Sequence, residues 1–194
     1  MGKYILWLDL ETTGLDKKIH AIIQISCLVE MDGQLIDEFN LFIRPFSGAS
    51  VSRDALKKNN ISIETLKTDK KYVSYNEAFK TFIEFMEKYV NRYKPIEKFV
   101  LAGKNVKFDI EFLREFFKRN NDDYYGSWFF YPCIEVESYT AEAIAFENAI
   151  LNNYKLETLC ESMNIELKNA HDSLLDIKAT RELYWKYKGV NING

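Results

Sequence analysis

The sequence predicts an α/β fold, a mixed five-stranded sheet flanked by helices. Three observations carry this expectation. The opening part of the chain holds three apolar runs rich in β-formers, and the second and third are joined by Asp32-Gly33, a two-residue hairpin signal. Two further short apolar runs follow, separated by stretches with helical apolar spacing. The 194 residues, 47% of them hydrophobic, suffice for one substantial core. A single domain over 1–188 is expected, with 189–194 a frayed tail.

In chain order, residues 3–10 read as the first strand, built on Tyr4-Ile5-Leu6-Trp7-Leu8. Residues 21–31 read as the second and 34–44 as the third, which Pro45 ends. Residues 74–92 place Ala78, Phe79, Phe82, Ile83, Met86 and Val90 at helical spacing. A fourth strand at 98–102 leads into a helix from about residue 109. Trp128-Phe129-Phe130-Tyr131 then reads as a fifth strand stopped by Pro132. Helices follow near 136–151, 155–163 and 172–188, with Asp172 or Ser173 as the candidate N-cap of the last. Phe79, Phe82, Phe112 and Phe116 fall at core spacing, so the aromatic content reads as packing rather than base stacking.

A formal charge of −3 and a pI near 5.6 exclude the basic field expected of a tight, nonspecific duplex binder. Lysines 57, 58, 67, 70 and 71 form either a local basic patch or the solvated face of a surface element. Cys27, Cys133 and Cys160 show no Cys-x-x-Cys spacing and read as reduced thiols, not as a disulfide framework or zinc site. The first apolar run is too short for a signal peptide, and nothing approaches the ~18 apolar residues of a membrane span. A cytoplasmic protein with no membrane partner is expected.

Four carboxylates and one imidazole carry the chemistry. Asp9 and Glu11 close the first strand in Asp9-Leu10-Glu11-Thr12-Thr13-Gly14. Residues two apart on a strand share a face and lie roughly 6.5–7 Å apart, close enough to share one metal site. Asp109 ends Gly103-Lys104-Asn105-Val106-Lys107-Phe108-Asp109, and taken alone would simply complement the positive end of the helix after it. Asp176, in the opening turns of the last helix, has the same ordinary reading. His171 and Asp176 would lie about 140° apart on one helix, so they converge only if His171 precedes it. His20 reads as a surface residue. Taken singly, each of these residues is unremarkable; as a set of hard oxygen donors with a neutral base, they suit Mg²⁺ or Mn²⁺ and phosphodiester hydrolysis.

Together the segments DLETTG at 9–14, GKNVKFD at 103–109 and HDSLLD at 171–176 resemble the DEDDh group of 3′–5′ exonucleases. The resemblance covers about residues 3–186. It implies a ribonuclease-H-like fold and two divalent cations, Mg²⁺ or Mn²⁺, on Asp9, Glu11, Asp109 and Asp176. It implies that His171 activates water, and that Thr12, Thr13 and Gly14 contact the terminal nucleotide, partly through backbone. Asn105 and Phe108 would shape that pocket, and Ile61, in Ser52 to Ile61, is a candidate base contact. Many relatives carry His-Asn where this chain has Lys104-Asn105. The activity implied is release of nucleoside 5′-monophosphates from single-stranded or frayed 3′ ends of DNA or RNA. A DNA polymerase subunit is a further candidate partner. A noncatalytic module binding nucleic acid or a polymerase is the competing reading.

Overall fold

The computed structural model describes residues 2–147, 150–167 and 172–190. Strand β1 (Ile5–Thr12) is apolar on both faces near its start, because it runs through the middle of the sheet and helices cover both sides. It pairs antiparallel with β2 (Ile22–Met31), which turns through Asp32-Gly33 into β3 (Gln34–Phe42). Both turn residues have positive φ, as a primed hairpin turn requires. On its other side β1 pairs parallel with β4 (Val100–Gly103), and β4 with β5 (Ile134–Glu135). The sheet is thus five-stranded and mixed, as expected, and its strands are ordered β3-β2-β1-β4-β5.

Two helical layers sandwich it. Leu6, Leu8 and Leu10 of β1, with Ile25, Cys27 and Val29 of β2, pack against α3 (Tyr75–Glu87) and α4 (Val106–Arg119) through Phe79, Phe82, Phe112 and Phe116. Trp7, Leu28 and Ala102 face the opposite layer. There they meet α6 (Val136–Glu147), α7 (Leu156–Ser162) and α8 (Ser173–Tyr187) through Val136, Leu159, Ile177 and Leu183. A smaller cluster of Ile23, Leu56, Leu66 and Tyr72 seats α1 (Arg53–Lys58) and α2 (Ile63–Thr68) beside β2.

Three elements differ from the sequence reading. The segment at 128–131 is not the fifth strand. Trp128 ends a helical turn, α5 (Tyr125–Trp128), and only Phe129 bridges to Phe99 before the ladder resumes beyond Pro132 at Ala102–Ile134. Trp128 is fully buried from this turn, so its apolar run reports burial and not strand geometry. Helix α4 begins at Val106, three residues before the expected start, because Asn105 adopts a left-handed conformation (φ 55°) and turns the chain directly from β4 into the helix. Helix α2 had no signal of its own beyond Ser62, whose hydroxyl accepts from Thr65 N at 3.0 Å. Of the expected tail, Gly189 and Val190 close α8: Gly189 N donates to Lys186 O and Val190 N to Trp185 O, both at 2.9 Å. Residues 191–194 lie outside the described residues.

Candidate active site

The β1–β4 ladder ends at Trp7–Ala102, so Leu8 to Thr12 are paired on the β2 side alone. The crevice beyond the carboxyl end of β4 is where open α/β sheets place their sites. Gly103 permits this geometry, since a Cβ there would lie 2.8 Å from Leu8 O. Asp9 and Glu11 share the Trp7 face and point toward α8. A register shift between Glu11 and Thr12 then bends the strand end. Asp172 caps helix α8, its side chain accepting from Leu174 N at 3.0 Å, and Asp176 follows in the opening turn. Asp9, Glu11 and Asp176 each present an oxygen within 4.8 Å of the others. Asp109 arrives from the opposite layer, in the first turn of α4. It is buried, and its Oδ1 accepts from Leu10 N at 3.1 Å, beyond the end of the β1–β4 ladder.

Burial pushes the Asp9 carboxyl well above the usual range, and the charges of Asp109, Glu11 and Asp176 push it further. Asp109 is raised by burial too, against the pull of the Leu10 amide and its own. Glu11 is pushed up to about 7 by burial, with Lys58 opposing and Asp176 and Asp172 adding to the rise. Such a cluster ionises fully only when a cation balances it. Hard carboxylate oxygens on three converging elements fit a divalent ion of the Mg²⁺ or Mn²⁺ kind.

The loop after Glu11 is tightly held. Thr13 Oγ1 donates to Ser50 O at 2.7 Å and accepts from Ala21 N at 2.9 Å, while Thr13 N donates to Ala21 O and Thr13 O accepts from Ser52 N, both at 2.8 Å. Every polar group of Thr13 is therefore engaged within the protein. Thr12 Oγ1 donates to Gly14 O at 2.8 Å. Gly14 is set by close approach, since a Cβ there would lie 2.3 Å from His20 Nε2. His20 is thus not a plain surface residue; its half-buried ring lies on the site loop.

The remaining expected residues divide. Asn105 is exposed at the mouth of α4, its amide donating to Glu135 Oε1 at 2.7 Å. Phe108 is half-buried against Phe112, with ring centroids 4.9 Å apart. Ile61 packs partly into the Ile23–Leu56–Leu66–Tyr72 cluster. Lys104 pairs with Glu137 at 2.7 Å. His171 lies outside the described residues. Two residues escaped the sequence reading. Asn59, almost buried, donates from Nδ2 to Thr12 O at 3.3 Å, fastening α1 to the site strand. Gln24, directly opposite Glu11, donates to Asp172 Oδ1 at 3.4 Å. A polar residue inside the apolar run Ile22-Ile23-Gln24-Ile25 was the available signal for Gln24; Asn59 falls within the Ser52 to Ile61 segment, where nothing singled it out.

A central strand that ends in paired carboxylates, met by one acid from each helical layer, defines a DEDD-type 3′–5′ exonuclease. The match to known proteins takes this to a family: the exonuclease family model RNase T matches residues 6–184, and the chain belongs to that family. It is 27% identical over 186 residues to the PolC-type DNA polymerase III of Pediococcus pentosaceus, and 28% over 200 residues to that of Latilactobacillus sakei. These matches span 96% and 99% of this chain but only 11% and 12% of the polymerases, so the chain spans about a tenth of their length. Escherichia coli exonuclease I in complex with a dA16 oligonucleotide superposes with a TM-score of 0.75 at 19% identity, over 95% of this chain and 41% of the other. Exonuclease I from Methylocaldum szegediense also gives 0.75, over 95% and 40%. These two likenesses show the fold, the ribonuclease-H-like sheet expected from the motifs. Among the described residues no helix is long and apolar enough to cross a membrane.

Proposed function

We propose that this chain removes nucleotides one at a time from single-stranded 3′ ends of DNA, with two divalent cations, releasing nucleoside 5′-monophosphates. The observation that carries the reading is the convergence of Asp9, Glu11 and Asp176 oxygens within 4.8 Å, with buried Asp109 beside them. Asp9, Glu11, Asp109 and Asp176 would hold the ions. When bound, these supply Lewis acidity toward the phosphate and the departing oxygen. His171, assigned by its motif, takes the proton of the attacking water. The water oxygen bonds to phosphorus as the P–O3′ bond breaks, leaving a shortened strand with a free 3′-hydroxyl. The Thr12–Gly14 loop, Phe108 and Ile61 would seat the terminal nucleotide, with Asn105 at the rim. DNA is favoured over RNA because the relatives are DNA polymerases and a structural neighbour was seen with an oligodeoxynucleotide.

Digestion of 5′-labelled DNA and RNA oligonucleotides, with Mn²⁺, Mg²⁺ or EDTA, tests this. A ladder shortening from the 3′ end is expected with metal only, and Asp9→Ala should reduce it at least about 10³-fold. Unchanged turnover in Asp9→Ala would remove the assignment. Faster digestion of the RNA would reverse the substrate preference.

A further inference from the structure

Lys58 stands out among the residues around the carboxylates because it is a cation in an acidic site. It ends α1, the helix that the Ile23–Leu56–Leu66–Tyr72 cluster seats beside β2. Its neighbour Asn59 is fastened to Thr12 O, and Ser52, which caps the same helix, donates its amide to Thr13 O at 2.8 Å. Both ends of α1 are therefore stitched to the strand end that carries Glu11, and the stem of Lys58 is fixed next to it. The side chain itself is exposed and makes no ion pair among the described residues.

A lysine at a helix C-terminus ordinarily complements the helix dipole, and Lys57 and Lys58 both lie in the last turn of α1. Charge balance gives Lys58 a more specific task. Four carboxylates and two divalent ions cancel, which leaves the single negative charge of an incoming phosphodiester without a counterpart. An ammonium on a flexible stem is a mobile point charge suited to a phosphate oxygen.

We propose that Lys58 is a substrate-binding residue whose ammonium contacts a non-bridging oxygen of the scissile phosphate at the 3′ end. This rests on the exonuclease reading above, and the test separates the two. Lys58→Met and Lys58→Arg are compared with the wild type on a 5′-labelled single-stranded DNA oligonucleotide. Binding of thymidine 5′-monophosphate and of thymidine is measured in parallel by calorimetry. Lys58→Met should lower kcat/KM roughly 10- to 100-fold, the scale of one charged hydrogen bond, and Lys58→Arg should restore most of it. Thymidine 5′-monophosphate should bind more weakly to Lys58→Met, and thymidine equally well. The Mn²⁺ concentration for half-maximal activity should fall or stay the same, because a cation has left the side of Asp9 and Glu11.

That opposition of signs is the discriminating readout, since a merely distorted site would weaken metal and substrate together. Such joint weakening, or a kcat/KM within twofold of wild type, would overturn the role of Lys58 while the exonuclease assignment stands. A wild type without metal-dependent shortening overturns the exonuclease assignment instead, and the nucleotide-binding comparison then decides Lys58 alone.

Discussion

Asp9 is buried among like charges, so its carboxylate costs the metal-free protein stability. Asp9→Asn keeps the shape and removes the charge. In EDTA at pH 8 this variant should melt several degrees above the wild type, and the gap should close at pH 3, below the ordinary aspartate range, where native and unfolded carboxyls both hold their protons. Calorimetry in EDTA at the two pH values checks it; a variant less stable than wild type at pH 8 would contradict the electrostatic account. Asp9 and Glu11 were legible as a pair because they share a face by alternation alone, whereas Asp109 and Asp176 came from the motif resemblance. What surrounds them was not legible. No local pattern shows that Thr13 spends its hydroxyl on Ser50 and Ala21, or that Asn59 reaches Thr12, because both contacts depend on where a distant segment comes to lie.

Between elements, the contact that decides the site is α8 on β2. Gln24, Ser26 and Glu30 lie on one face of an otherwise apolar strand. They meet Asp172, Ser173 and Arg181 respectively, the serine hydroxyls 2.7 Å apart. Glu30 is fully buried and also accepts from Trp7 Nε1 at 3.2 Å and Trp185 Nε1 at 3.1 Å. A buried polar side chain is costly without a partner, so these three positions admit α8 in one register, the one that brings Asp176 over Asp9. Arg181→Met leaves the Glu30 charge uncompensated and should cost about 3 kcal/mol or more, read as a drop in the urea midpoint. A loss below about 1 kcal/mol would mean that apolar packing alone holds the helix. The helix was legible from its spacing and its Asp172 cap, and the hairpin from Asp32-Gly33. The fifth strand was misplaced because a short, fully buried apolar run looks the same as turn or strand.

For the molecule as a whole, proton and metal compete for the same oxygens. Asp9, Asp109 and Glu11 hold protons more tightly when folded than when unfolded, so the unfolded chain releases them first as pH rises. Metal-free stability should therefore fall from the ordinary carboxylate range near pH 4.5 up through about pH 7, where Glu11 titrates. A divalent cation reverses the trend, and its gain in melting temperature should be larger at pH 8 than at pH 5. Calorimetry with Mn²⁺ or EDTA at both pH values measures this; equal gains would argue against ions on these carboxylates. The layered architecture was readable from element order, while the strand order 3-2-1-4-5 became visible only in the structure, since periodicity does not say which strands are neighbours.

The acids that converge at the crevice come from the opening strand, the middle of the chain and the last helix. That wide separation sets when the enzyme can become active during its own synthesis. A ribosome-bound chain that has emerged as far as α4 already holds Asp9, Glu11 and Asp109, yet it lacks Asp176 and the α8 face that completes the site. A nascent nuclease of this design gains its full set of acids only when its last helix docks.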